Sequence, residues 1–569
     1  MNALPTKGEW LGLAISPGVG IGLATSTASW GVPAETAGQV VAAIAELDEA
    51  LPRWAWWDRT TADQLVTMGV SIDRCWDVLT VHRLINGGWK TSIGEAWASL
   101  HGLAAETIPT LGQMNLLAAP VDVGADPNNP ILPDGHLRAE WAGGQWAESL
   151  ERTVEWARLT VVAASAQETV LAQTTNDRSQ STARSESVAD YLCAELAANG
   201  LPIDVAEAER IITNAAGPRP ATIGEQDQIR AVRDREVLKH LSYQHEVNLR
   251  NPGEVKSMLR REGVDVEDTR AWRLEQLRDS YPIVEALLTW RKDERISTTY
   301  GYRWLDDHVS GGRLRGEWSS SDGAAGRMTA SAGLHNLPSE MRSAIAADPG
   351  FCFVRSDLGQ VEPRVLAAVS GDAAFIAATQ ADDLYQTVAD QLGVERQVAK
   401  LAVLGAMYGA TTGESAHVLP RLKRNYPVAM GLLDEAAENG RRQNDVYTSG
   451  GRRIRTNYSS GVDGDLDRAR SAAESRGRFA RNAIIQGAAA EFFKVWAVLV
   501  RRRARPFGAE VVLCLHDELL VHTPVSAATE VARVVEEAIG EAAHYWSPEP
   551  GVRFVAEVST IDRWSKAKD

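Results

Sequence analysis

Cysteine is scarce. The 569 residues hold four, Cys75, Cys193, Cys352 and Cys514, scattered and without a C-x-x-C pair. That excludes a disulfide framework, offers no zinc-site spacing, and fits a reducing cytoplasm. Long apolar runs are missing too. No window reads as ~20 apolar residues free of breakers, so no membrane-spanning helix is expected. The stretch 11–28 does not qualify as a signal peptide, because Glu9 stands where a basic segment belongs and Pro17 and several glycines interrupt it. Two short strands and a turn are predicted there instead. Positive charge is in deficit, with a formal net charge of -16, which by itself argues against a nucleic-acid binder.

The distribution of charge changes that reading. Residues 1–190 carry 11 Lys and Arg against 22 Asp and Glu, and the remaining 379 carry 48 against 53. Most of the acidity lies in the first third. Basic residues cluster later, in Arg421–Arg424, Arg452–Arg455, Arg476–Arg481 and Arg501–Arg505. Local stripes, not net charge, bind phosphate backbones, although such a run taken alone is ordinarily a solvated helix face. Hydrophobic residues at 44% and charged ones at 24% describe a globular protein, long enough for roughly two to four domains. Eleven of the 18 tryptophans precede residue 160. The composition turns polar and Ser/Thr-rich near 172–187, which is predicted to be a linker or exposed loop. Before it, short apolar strands alternate with Ala-rich helical runs, a pattern for a small α/β domain. Helical patterns dominate 187–290, and after about 320 strand-like runs alternate with long helices.

Four segments carry candidate chemistry. VVLCLHDELLV (511–521) reads as a hairpin with His516, Asp517 and Glu518 at its tip. FCFVRSDLGQVEPRV places Asp357 at a strand end before a helix, a position where catalytic groups are common but where a helix N-terminal acid is equally ordinary. In ERQVAKLAVLGAMYG, Arg396, Lys400, Leu404 and Tyr408 recur every fourth residue, giving a stripe of ~120° on one helix face. Two cations there suit a triphosphate, and Leu404 and Tyr408 suit a base pair and sugar. Arg478, Asn482 and Gln486 repeat the spacing, and their neutral amides could read minor-groove acceptors that all base pairs share. Each segment alone is equally a solvated turn or an amphipathic helix.

Their order is informative. GRMTASAGLHNLP (326–338), the Asp357 strand, the two helices and the hairpin follow one another as in the family A DNA polymerases, and the chain resembles that family over about residues 187–569. Asp357 to Arg364 resembles its D-Y-S-Q-I-E-L-R motif, with Leu358, Gly359 and Pro363 as departures. Arg396, Lys400, Gly405, Tyr408 and Gly409 match its R-x3-K-x3-[FY]-G-x2-Y-G helix, with Leu404 in place of Phe or Tyr. Phage-type RNA polymerases share the two aspartates, but Glu362 with Tyr408 resembles the arrangement that closes against a ribose 2′-OH.

The resemblance implies a right-hand polymerase, an α+β fold spanning 176–569, with the thumb at about 188–300, the palm at about 301–378 and 470–569, and the fingers at about 379–469. Residues 1–175 would be an α/β, RNase H-like domain similar to a 3′–5′ exonuclease. It implies that Asp357, Asp517 and the backbone carbonyl of Leu358 bind two Mg²⁺ ions, with Mn²⁺ able to substitute. Arg396, Lys400, Leu404, Tyr408, Glu362 and Gln360 would meet the nucleotide, with Lys400 also catalytic. Arg327, Asn336, Arg478, Asn482, Gln486 and His516 would contact primer–template DNA, and Glu518 would be supportive. The expected protein is a cytoplasmic, nucleoid-associated monomer that extends a primer with dNTPs. The exonuclease motifs are degenerate. The first two strands lack the D-x-E carboxylates, Asp63 is a possible remnant of the second motif but Arg59 replaces its Asn, and 156–160 lacks the third motif's Asp. No 3′–5′ exonuclease and no 5′-nuclease are expected. The alternatives are a silent DNA-binding repair or replication factor, and a polymerase with residual exonuclease.

Overall fold

The computed structural model describes residues 5–88, 90–111, 126–174, 176–242, 247–409, 416–457, 466–547 and 549–568. The chain forms two compact units. One holds 1–199, 318–329 and 352–560, and the other 200–317, 330–351 and 561–569.

The first unit begins with a five-stranded sheet. Strands β1 (Trp10–Ser16), β2 (Gly20–Ala24) and β3 (Ser29–Pro33) form an antiparallel meander. Helix α1 (Ala37–Asp48) then leads to β4 (Arg53–Trp56), and α2 (Arg59–Thr67) to β5 (Cys75–Asp77), both strands running parallel. The order β3-β2-β1-β4-β5 is the RNase H-like arrangement expected of this segment. β5 runs directly into α3 (Val78–Asn86), and α4 (Leu150–Ala172) lies across β1 and β2. The close approach of α4 explains a glycine on each strand: a Cβ at Gly12 would sit 2.3 Å from the Ala157 carbonyl, and one at Gly22 2.2 Å from that of Thr153. The early tryptophans make the core here, with Trp57 and Trp156 ring centroids 5.0 Å apart.

Burial depresses the pKa of His82, on α3, to about 4. The folded state therefore binds fewer protons than the unfolded chain between pH 6.5 and 4, and stability is lost as pH falls through that window. The loss should approach 2–3 kcal/mol at about pH 4. His82→Gln should flatten this part of the pH dependence in urea unfolding; an identical slope would assign the acid sensitivity to other groups.

The polar stretch near 172–187 is not a linker. Helix α5 (Ser179–Asn199) begins within it, and most of this helix is buried. Its polar side chains are consumed internally. Ser187 Oγ accepts from the Asp77 amide at 3.1 Å, Asp190 accepts from Ser320 Oγ at 2.5 Å, and Glu186 accepts from Lys494 Nζ at 2.7 Å. The expected boundary at 175/176 lies in sequence between the end of α4 and the start of α5, both inside the first unit.

Among the described residues the second unit is mainly helical between 205 and 308, overlapping the 187–290 stretch where helical patterns are predicted. Its longest helix, α6 (Pro282–Thr299), packs Ile283, Val284, Leu287 and Leu288 into an apolar cluster with Val255, Leu259 and Leu274. Glu294 on this helix receives Arg233 and Arg250.

Back in the first unit, a hairpin of β6 (Trp318–Asp322) and β7 (Arg327–Ala330) precedes β8 (Phe351–Leu358). Helices α7 (Val361–Ser370), α8 (Leu384–Leu392) and α9 (Arg396–Tyr408) follow. The 39-residue α10 (Leu466–Ala504) leads to the antiparallel pair β9 (Glu510–Leu515) and β10 (Glu518–Pro524), and β11 (Ala556–Ile561) completes a sheet of order β9-β10-β8-β11. Among the described residues one stretch, 468–507, is long and apolar enough, by length and composition alone, to cross a membrane. Its apolar window is 83% buried within the protein, with Phe492, Trp496 and Val500 in the core.

Candidate active site

Two strand ends bring the carboxylates together. Asp357 is the penultimate residue of β8, and Asp517 lies in the turn between β9 and β10, the strand beside β8. The Leu358 amide donates to the Asp517 carbonyl at 2.9 Å, which ties the two ends. Leu515 pairs with Glu518, so His516 and Asp517 form a two-residue turn. His516 takes φ +52° to close it, the positive φ that tight hairpins demand and that non-glycine residues adopt at a cost.

The electrostatics are those of crowded acids. Burial, and after it the charge of Asp357, push Asp517 up to about pKa 6. Burial also raises Asp357, against the opposing pull of Arg355. Arg355, itself buried, donates to Asp357 Oδ2 at 2.6 Å and to Glu518 Oε1 at 2.7 Å. Among the described residues no group of three or more His, Cys, Asp or Glu is arranged around a metal position. The donor set nevertheless fits a hard divalent cation. Two partly buried, mutually repelling carboxylates and a carbonyl at a strand end suit an ion that keeps several waters and takes phosphate oxygens as its other ligands.

Helix α9 turns its expected stripe outward. Arg396 and Tyr408 are exposed and Lys400 and Leu404 half-buried, while Ala399, Ala402, Val403, Ala406 and Met407 form the buried face. Lys400 has no ion-pair partner among the described residues. Arg396 is held by Asp383, the N-cap of α8. Leu404 lines an open cleft of about 190 Å³ together with Glu362, Gln486, His516 and Asp517, so it does not simply face the interior. On α10, Arg478 is exposed and Asn482 and Gln486 are half-buried, on one side of the helix. The Asn482 Oδ1 is buried with no hydrogen-bond partner among the described residues. Gly409 ends α9 at φ +72°, where a Cβ would meet the Arg478 side chain at 3.0 Å.

Glu362, in the first turn of α7, connects these elements. It accepts from Tyr408 Oη at 3.2 Å and from Arg327 Nη2 at 3.2 Å. Burial and the charge of Glu362 raise the Tyr408 pKa, which keeps the phenol a donor. Gln360 lines the cleft, but its amide is occupied: it accepts from the Leu384 amide at 3.0 Å and donates to Asp383 at 3.1 Å. Asn336 belongs to the second unit, where its carbonyl accepts from Tyr300 Oη at 2.8 Å. The sequence reading missed Arg355 and Asp383. Both are ordinary polar residues in pattern, and no periodicity distinguishes them.

In the N-terminal sheet, a cavity of about 260 Å³ lies where β1, the start of α2 and α4 converge, lined by Ala14, Trp57, Thr61, Gln64 and Trp156. Its single carboxylate, Asp58, caps α2 by accepting from the Thr60 amide. Asp63 is half-exposed outside that lining and ion-paired with Arg59 at 2.8 Å. Thr160 spends its hydroxyl on the Trp156 carbonyl.

The family model for DNA polymerase family A matches residues 228–566. The thermostable DNA polymerase I of Thermus caldophilus is 31% identical over 333 residues, covering 53% of this chain and 38% of that protein. DNA polymerase I of Chloroflexus aurantiacus is 33% identical over 298 residues, covering 46% and 31% respectively. The chain thus spans well under half the length of the curated relatives it matches. Among solved structures, the POL domain of Pol1 from M. smegmatis, in complex with DNA primer–template and dNTP, is similar with a TM-score of 0.67 at 19% identity, over 99% of this chain and 97% of that one.

Proposed function

Because the chain belongs to DNA polymerase family A, we propose that it extends a primer 3′-OH with dNTPs under the direction of a template, releasing pyrophosphate. The observation that carries this reading is the backbone tie between Leu358 and Asp517, which joins the strand end that carries Asp357 to the turn whose Asp517 lines a cleft together with Leu404 and Gln486. Asp357, Asp517 and the Leu358 carbonyl would hold two Mg²⁺ ions, or Mn²⁺ in their place. When bound, such ions activate the primer hydroxyl and neutralise the charge that grows on the leaving phosphates. Arg396 exchanges Asp383 for the triphosphate. Lys400, without an ion-pair partner among the described residues, binds the same phosphates and protonates the departing pyrophosphate. Glu362, pinned by Arg327 and Tyr408, fills the space of a ribose 2′-OH. Arg478, Asn482, Gln486 and His516 contact the primer–template. Gel-resolved extension of a labelled primer tests the reading; a protein that binds primer–template but adds nothing would instead be a silent DNA-binding factor.

The N-terminal domain is proposed to lack 3′–5′ exonuclease activity. Its strand β1 offers no carboxylate, Arg59 neutralises Asp63, and an isolated acid cannot hold two divalent ions. A mismatched 3′ end incubated with Mg²⁺ or Mn²⁺ should release no nucleotide. Degradation that requires residues 1–175 would refute this.

Leu404 should act as a terminator filter. It reaches the cleft but has no hydroxyl to replace the missing 3′-OH of a dideoxynucleotide. Leu404→Tyr should raise ddNTP incorporation about tenfold, the worth of one hydrogen bond at a desolvated site. Unchanged termination with intact dNTP incorporation would mean that this position does not meet the sugar.

A further inference from the structure

Arg355 is a cation buried among the acids of the candidate active site. Its side chain is 4% exposed, and it reaches Asp357 on its own strand and Glu518 on the neighbouring β10. Glu557, on β11 at the other side of β8, adds a weaker electrostatic pull. A guanidinium presents donors in a rigid planar fork, so one arginine can fix two carboxylates relative to each other as a lysine cannot. Two consequences follow. Glu518, next to Asp517 in sequence, is drawn onto Arg355, and its side chain is only 11% exposed. Asp357 has Oδ2 engaged, which leaves Oδ1 as the oxygen that Arg355 does not hold.

We propose that Arg355 is a positioning residue and a resident counter-ion: it fixes the Asp357 and Glu518 carboxylates and holds down the affinity of the nucleotide-free site for divalent cations. This rests on the reading that Asp357 and Asp517 bind such cations. Without the guanidinium, the cluster gains a net negative charge and Asp357 regains a second oxygen, so a divalent ion binds more tightly. The same change frees the Asp357 carboxylate to move, so nucleotide addition slows. The two effects have opposite signs, and a purely structural arginine would not produce the first.

The test is Mn²⁺ titration of the nucleotide-free full chain, followed by electron paramagnetic resonance, beside steady-state primer extension. Arg355→Met should tighten Mn²⁺ binding roughly 5- to 10-fold through the lost positive charge, and should lower kcat by at least about tenfold through lost positioning. Arg355→Lys keeps the charge and should stay within about twofold of wild type in Mn²⁺ affinity. Arg355→Met leaves Glu518 buried without this partner and can fail to fold. The pair Arg355→Met with Glu518→Gln removes that buried charge as well; it should fold, as circular dichroism will report, and still bind Mn²⁺ about 2- to 3-fold more tightly because Asp357 Oδ2 is released from Arg355. Unchanged or weaker Mn²⁺ binding in the folded variants, with kcat reduced, would overturn the proposal and leave Arg355 a structural residue. If wild type binds Mn²⁺ no better than Asp357→Ala or Asp517→Ala, the underlying reading of the two aspartates falls, and this proposal with it.

Discussion

Asp357→Asn and Asp517→Asn are each expected to lower primer extension by about 10³-fold or more, because each removes an anion needed to hold a divalent ion. Their effects on the metal-free fold should differ. Asp517 has its pKa pushed up to about 6 by burial and by Asp357. Its folded pKa exceeds the unfolded value, so the folded state binds more protons between about pH 4 and pH 6, and stability falls as pH rises through that window. Above it, the ionised Asp517 remains a liability. Asp517→Asn should therefore stabilise the protein in EDTA at pH 7.5, by about 1–3 kcal/mol. Asp357 is raised too, but Asp357→Asn also gives up the charge-assisted bond from Arg355, so its gain should be smaller than that of Asp517→Asn. Thermal unfolding in EDTA separates the two. A loss of stability in Asp517→Asn would mean that Asp517 is held by a favourable partner rather than crowded by acids.

Lys494→Met is expected to destabilise the first unit by about 3–5 kcal/mol. Lys494 and Glu186 are each 1% exposed and 2.7 Å apart, and Arg452 reaches the same carboxylate at 2.6 Å. Burial lowers the Lys494 pKa to about 8 even with Glu186 beside it. Glu491, pushed up to about 7 by burial, accepts from Thr448 and from the Gly450 amide. Such a cluster costs much to desolvate and more to break, since the buried carboxylate left behind keeps only Arg452 of its two cations. Adding Glu186→Gln to Lys494→Met also takes from Arg452 its carboxylate, so in urea unfolding the double change should cost more than Lys494→Met alone but less than the sum of the two single losses. Additive losses would show that the two side chains do not act as a pair.

The candidate site was legible in sequence where residues repeat at helical spacing or sit at strand ends. The α9 stripe faces outward as its period of four required, and the hairpin puts Asp517 at its tip. The RNase H-like sheet was foreshadowed by short apolar strands between Ala-rich helices. What stayed hidden depends on partners far away in the chain. The end of the segment near 172–187 is polar because Glu186 and Ser187 are satisfied by Lys494 and the Asp77 amide, neither of them local. Arg355 occupies one place in a strand, and only the fold brings Glu518 to it. Gln360 fits its motif, yet its amide ties α7 to the start of α8. The apolar character of 468–507 comes from small and aromatic residues of a core helix, which a scan for unbroken apolar runs passes over.

The central claim is template-directed extension at the Asp357–Asp517 cleft. It is tested most directly by rapid-quench, single-nucleotide incorporation with the wild-type chain on a primer–template whose next template base is known, supplying each dNTP separately with Mg²⁺ and measuring pyrophosphate. The account predicts that the complementary dNTP alone is added efficiently, with one pyrophosphate released per primer extended. Efficient addition of all four dNTPs regardless of the template base, or tight primer–template binding with no addition at all, would contradict it.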